Sequence, residues 1–231
     1  MTQRNIIAIG ASSGGVAALR TLLSELGPSL SAAILVVQHI GPHESMLPRL
    51  LHRSGGLPAQ HAVHGEPLVA GRVYVAPPDH HLLVTRESIL LTRGPKENHT
   101  RPAIDPLFRS VAVHHGAAAI GVVLTGHLDD GTSGLMAIKT CGGMAVVQDP
   151  QDAEAPSMPE SALHHVEVDH VVPVARMGAL LTRLVTGPAA ALAEAPTKAL
   201  ADELRLGASE GRAEQRARRT RASTLRRTAL P

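Results

Sequence analysis

Apolar positions along the chain follow two alternating patterns. Residues 5–10 (Asn-Ile-Ile-Ala-Ile-Gly) form a short unbroken apolar run. A run of that length bounded by turn residues predicts a strand buried on both faces. Residues 14–26 then place Val16, Leu19, Leu22, Leu23 and Leu26 at three- and four-residue spacing, which predicts a helix with one apolar face. The alternation continues, predicting strands over 32–38, 119–125, 144–148 and 171–174, and helices over 44–53, 104–115, 132–141, 156–165 and 177–185. Between them, segments 73–76, 82–85 and 89–92 are separated by Pro77-Pro78-Asp79 and Arg86-Glu87-Ser88. They read as short strands of a hairpin region.

Buried strands alternating with amphipathic helices set the expected fold class. It is α/β: a doubly wound, mostly parallel sheet with helices on both faces and an added antiparallel hairpin. No internal repeat is present. After Gly187 the composition shifts to Ala, Arg, Glu and Thr, and residues 208–231 lose apolar periodicity. One catalytic-type domain is therefore expected over 1–186, followed by an Ala/Arg-rich extension over 187–231, largely disordered.

Composition narrows this reading. With 44% hydrophobic residues in 231, the chain can bury a sizeable core. Tyr74 and Phe108 are the only aromatic residues, so that core must be built from Val, Leu, Ile and Ala. No apolar run approaches the ~18 residues of a membrane span, and no signal-peptide pattern opens the chain, so a cytoplasmic protein without membrane insertion is expected. The single cysteine, Cys141, excludes a disulfide framework and a cysteine-based zinc site. The net charge of +2 hides an asymmetry: residues 212–231 hold seven Arg against the single acid Glu214, and the rest of the chain is net acidic. A basic surface on the folded part is thus not indicated, and no nucleic-acid partner is expected.

Ligands of open α/β sheets bind beyond the carboxyl ends of the strands. After the first strand stands Gly10-Ala11-Ser12-Ser13-Gly14-Gly15, after the second Gln38-His39, and after the 119–125 strand Gly126-His127-Leu128-Asp129-Asp130-Gly131. A hydroxyl, an imidazole and a carboxylate at three strand ends are the inventory for acyl transfer. Ser12 would be the nucleophile and His39 the base that takes its proton. Asp130 would hold the imidazole tautomer. The helix starting near Gly14 offers free N–H groups, and with the N–H of Ser13 these would stabilise an oxyanion. Each piece alone has a plainer reading: a Gly/Ser turn that binds phosphate, one of fourteen histidines, an aspartate capping a helix. The nucleotide-binding alternative wants an acidic residue at the end of the second strand, where this chain has Gln38-His39. The paired histidines His80-His81, His114-His115 and His164-His165 lack a carboxylate at metal-binding spacing, so no metal site is expected.

The same strand ends resemble the catalytic domain of the chemotaxis protein-glutamate methylesterases, the CheB family. The likeness is carried by residues 9–15, Val37-Gln38-His39, residues 73–80, residues 101–108 (Arg-Pro-Ala-Ile-Asp-Pro-Leu-Phe), Val123-Leu124-Thr125-Gly126 through Asp130-Gly131, and Met158-Pro159. It spans residues 5 to 184. It implies hydrolysis of glutamate methyl esters on chemoreceptors, deamidation of receptor glutamines, and no metal or organic cofactor. The family nucleophile, base and orienting acid fall on Ser12, His39 and Asp130. The chain differs from the family's usual form in two ways. The first strand begins close to Met1, so a stand-alone domain without a phosphoacceptor receiver is expected. The family loop Gly-Met-Gly-x-Asp-Gly here reads Gly126-His127-Leu128-Asp129-Asp130-Gly131, which puts His127 in the substrate-facing wall, its N–H a second oxyanion donor. Two rivals remain: a partner-binding signalling domain on the same scaffold, and a nucleotide-binding module.

Overall fold

The computed structural model describes residues 4–41 and 43–187. Among the described residues, nine strands and six α-helices follow one another as β1 (Ile6–Ala11), α1 (Gly15–Ser24), β2 (Ala33–Gln38), α2 (Leu47–Gly55), β3 (Ala59–His61), β4 (Val73–Val75), β5 (His81–Val84), β6 (Ile89–Thr92), α3 (Ile104–His115), β7 (Ala119–Val123), α4 (Thr132–Thr140), β8 (Met144–Gln148), α5 (Ser157–His165), β9 (His170–Val172) and α6 (Val174–Thr186). Seven strands form one sheet in the order β3-β4-β2-β1-β7-β8-β9, and every pairing in it is parallel. β5 and β6 form a separate antiparallel pair.

The unbroken apolar runs are explained by burial on both sides. All six residues of β1 are buried, as are all six of β2. Ile6 and Ala8 join the core that contains Phe108 and Val111 of α3, Leu135 and Ile138 of α4 and Met158 of α5. Ile7 and Ile9 join the opposite core with Leu19 and Leu22 of α1, Leu51 of α2 and Met177 and Leu181 of α6. The two-residue period of a strand thus divides β1 between two helical layers. The hairpin lies on the α3 side, where Leu82, Val84 and Ile89 join the first core.

β1 is the hub of the winding. From it the chain builds outward to β2, β4 and β3 on one side and, from β7, to β8 and β9 on the other. The strand order therefore reverses between β1 and β7, and the carboxyl ends of β1, β2 and β7 border a crevice at that switch point.

Several local expectations are corrected. Residues 73–76 were expected in the hairpin region; β4 instead pairs parallel with β2 and β3 inside the main sheet. β3 had no counterpart in the sequence reading: it is three residues long and only partly buried, so it carries no apolar run. The helix expected over 44–53 starts at Leu47, where Ser45 Oγ accepts the Leu47 N–H at 3.2 Å. α6 begins at Val174, before the expected 177. The extension expected over 187–231 lies outside the described residues apart from Gly187. No helix among the described residues is long and apolar enough to cross a membrane.

Candidate active site

The strand ladder sets the position of Ser12. Its N–H donates to Thr125 O at 2.9 Å, one step beyond the β1–β7 pairing, while the neighbouring His39 N–H donates to Ala11 O at 3.0 Å. The chain then turns at once into α1: Gly15 N–H donates to Ser12 O, and Gly14 adopts φ 74°. That left-handed backbone favours glycine, and a side chain there would also meet Glu154. α1 has no side-chain cap at its N-terminus. The N–H groups of Ser13 and Gly14 have no acceptor among the described residues, so they are open to a ligand. The Thr125 hydroxyl donates to Ser13 O at 2.9 Å and accepts the Ala155 N–H at 2.8 Å, which binds the turn to the segment before α5.

Gln38, at the end of β2, ties this turn to the next strand. Its buried side-chain amide donates to Ser12 O at 2.7 Å and to His39 O at 3.1 Å. His39 follows, and its ring spans the gap between the other two candidates. Nδ1 lies 3.1 Å from Ser12 Oγ, and Nε2 lies 2.7 Å from Asp130 Oδ2. The Thr100 hydroxyl stands 3.4 Å from the same Nε2.

Asp130 is 2% exposed and accepts four hydrogen bonds. Oδ2 takes His39 Nε2 and the Ile104 N–H at 2.8 Å. Oδ1 takes the Asp105 N–H at 3.1 Å and the Asn98 amide at 2.7 Å. Burial alone would push its carboxyl up, but the bonds from His39, the Ile104 N–H and Asn98 outweigh it and hold the carboxyl below the usual aspartate value. Asp130 is therefore ionised near neutral pH. An ionised carboxylate on Nε2 keeps the ring proton there and leaves the Nδ1 lone pair facing Ser12.

The loop that delivers Asp130 is shaped by two backbone features. Gly126 sits between Ser12 Cβ and the buried Met158 sulfur, and a methyl group at 126 would come within 2.7 Å of Ser12 Cβ. Leu128 adopts φ 66° and is 68% exposed. His127 is exposed at the rim, and neither its ring nor its N–H has a hydrogen-bond partner among the described residues.

Ser12, His39 and Asp130, chosen from sequence, are thus brought together, with Ser13 beside them and His127 on the outer edge. Asn98, Thr100 and Asp105 also meet this group and were not singled out. Asp105 lies within the family-like stretch 101–108, which is the sequence signal that points to it. Among the described residues no cluster of three or more His, Cys, Asp or Glu is arranged to hold a metal.

Known proteins share the sequence and the fold of this chain. A family profile described as CheB methylesterase matches residues 7–181. A putative protein-glutamate methylesterase/protein-glutamine glutaminase of Leptospira interrogans is 39% identical over 180 residues, covering 77% of this chain and 93% of the relative. A protein-glutamate methylesterase/protein-glutamine glutaminase of Photorhabdus laumondii is 34% identical, covering 82% of this chain and 55% of the longer relative. The crystal structure of the Thermotoga maritima CheB methylesterase catalytic domain superposes with a TM-score of 0.77 at 32% identity, covering 78% of this chain and 98% of that one. Matched along most of its described length in sequence and in fold, this chain belongs to the CheB methylesterase family.

Proposed function

We propose that the chain is a serine-type protein-glutamate methylesterase that also deamidates glutamine, acting on a methylated chemoreceptor or receptor-like protein in the cytoplasm. The observation that carries this reading is the hydrogen-bonded series Ser12 Oγ to His39 Nδ1 at 3.1 Å and His39 Nε2 to Asp130 at 2.7 Å. The names of the relatives supply the substrate: a glutamate methyl ester or a glutamine.

The steps follow from the proton positions. Ser12 gives its proton to His39 Nδ1 as Oγ bonds to the γ-carbonyl carbon of the methylated glutamate. The carbonyl oxygen becomes an oxyanion and accepts from the N–H of Ser13, with the N–H of His127 as second donor. The uncapped start of α1 adds its positive end there. Collapse of the intermediate breaks the ester bond, and His39 delivers the proton to departing methanol. Water then attacks the acyl-serine while His39 takes its proton, which leaves glutamate carboxylate and free Ser12. With glutamine the same steps release ammonia. Asp130 stays ionised and steadies the imidazolium.

A partner-binding domain without catalysis gives no reason for the His39 ring to be held between a buried carboxylate and a serine hydroxyl. For a nucleotide module, the position of the ribose-binding acid is taken by Gln38, whose amide is spent on Ser12 O and His39 O. The deciding test is methanol release from methyl-labelled receptor membranes by the wild type and by Ser12→Ala. Release by the wild type alone is expected. Equal release by both would remove Ser12 from the role, and no release across a range of receptors would end the methylesterase reading.

A further inference from the structure

Asp130 does not reach His39 unaided. A carboxylate has about four acceptor positions. In Asp130 they are filled by His39, two backbone N–H groups at the start of α3, and Asn98. Asn98 is the one side chain among these donors besides His39. Its amide nitrogen carries two protons and meets two carboxylates: Asp130 Oδ1 at 2.7 Å and Asp105 Oδ2 at 3.0 Å.

That bridge answers an electrostatic problem. Asp105 is buried too, and its other oxygen accepts the Gly131 N–H at 3.1 Å and the Gly134 N–H at 2.7 Å. Two carboxylates this close repel each other. Burial first, and then the charge of Asp130, push the Asp105 carboxyl up to about 6, against the pull of the Gly134 N–H, Asn98 and Arg109. The charged and titratable groups around the pair are His39 beyond β2, Arg109 of α3 paired with Glu97 at 2.6 Å, and His81 of β5, which feels the charge of Asp130. None of these touches both carboxylates. Asn98 does.

The backbone is built to present it. Thr100 N–H donates to Glu97 O at 2.8 Å, closing a turn in which Asn98 and His99 take φ 48° and 62°. Asn tolerates that left-handed region better than most residues. One turn thereby sets Asn98 on Asp130 and Thr100 near His39.

We infer that Asn98 is a positioning residue of the esterase site, whose amide fixes the plane of the Asp130 carboxylate toward His39 by bridging it to Asp105. The inference rests on the triad reading, and its test is arranged so that the two can fail separately. The test uses the full chain, a serine-directed fluorophosphonate as probe of Ser12, and carboxyl 13C NMR titrations of Asp130 and Asp105. Asn98→Gly keeps the turn and removes the amide. It is expected to slow labelling about tenfold, as the loss of one charge-assisted hydrogen bond would. Both carboxyl titrations should move to higher pH. Asn98→Asp also suits the turn and has the same shape, but it adds a third carboxylate, so labelling should fall further. If Asn98 only shaped the turn, both variants would label at the wild-type rate and leave the titrations where they were. That result overturns the inference. If the wild type itself is not labelled, the role of Ser12 fails, and the carboxyl titrations alone decide the role of Asn98.

Discussion

Leu128 stands in a left-handed backbone, φ 66°, with 68% of its surface exposed. A left-handed L-residue costs roughly 1–2 kcal/mol, and here no burial offsets it. The stability consequence is direct. Leu128→Gly relieves the strain but adds the entropy of glycine in the unfolded chain, leaving a net gain of about 0.5–1 kcal/mol. A rise in the urea midpoint checks it, and a fall would mean that Leu128 packs better than its exposure allows. Gly126 is the opposite case. It is small because Ser12 and Met158 close on it from two sides, so its lack of a side chain belongs to the site.

The N-termini of α3 and α4 are joined crosswise. Asp130, just before α4, accepts the Ile104 and Asp105 N–H groups at the start of α3. Asp105, in the first turn of α3, accepts the Gly131 and Gly134 N–H groups at the start of α4. Each carboxylate satisfies the other helix's orphan donors and meets the positive end of its dipole. The two carboxylates nonetheless act oppositely on stability. Asp130 is held below 3.8, so its contribution is present above that pH and is lost as the pH falls through its folded value. Asp105 is raised from 3.8 to about 6, so its contribution is full below 3.8 and is lost as the pH rises through 6. Asp105→Asn removes that second titration. Urea midpoints of wild type and variant taken from pH 4 to 7 should therefore shift relative to each other, the wild type losing stability against the variant as the pH rises through 6; parallel curves would refute the raised carboxyl. This crosswise arrangement explains what sequence could and could not convey. β1 and β2 were legible because both faces are buried, and Ser12, His39 and Asp130 because each follows a strand. β4 is three apolar residues, too few to tell a parallel partner from a hairpin. Asp105 reads in sequence as an ordinary first-turn acid, and Asn98 as one residue of a polar loop. Their meeting with Asp130 depends on how the 97–100 turn and α3 pack against α4, which no periodicity encodes.

At the scale of the molecule, the site is assembled from segments far apart in sequence: residue 12, residue 39, the turn 97–100, and residue 130. Residues 12, 39 and 130 follow strands of one parallel sheet, and the 97–100 turn is held against them by Asp105 and Arg109 of α3. The last element among the described residues is α6. Its Met177, Leu181 and Val185 are fully buried in the core shared with α1 and β1, and the family match itself ends at residue 181. Burial of each such side chain is worth about 1.5–3 kcal/mol, so a chain cut before α6 would lose much of the ~5–15 kcal/mol that typically separates folded from unfolded domains. We propose on these grounds that residues 1–186 form the autonomous catalytic unit. A chain ending at Gly187 is expected to keep the melting temperature of the full chain and its rate of fluorophosphonate labelling at Ser12. A chain ending at Pro173 should lose both together, because the sheet that aligns Ser12 with His39 also carries the face that α6 covers. If the chain ending at Gly187 melted well below the full chain, residues beyond 187 would belong to the folded unit and the boundary would be wrong.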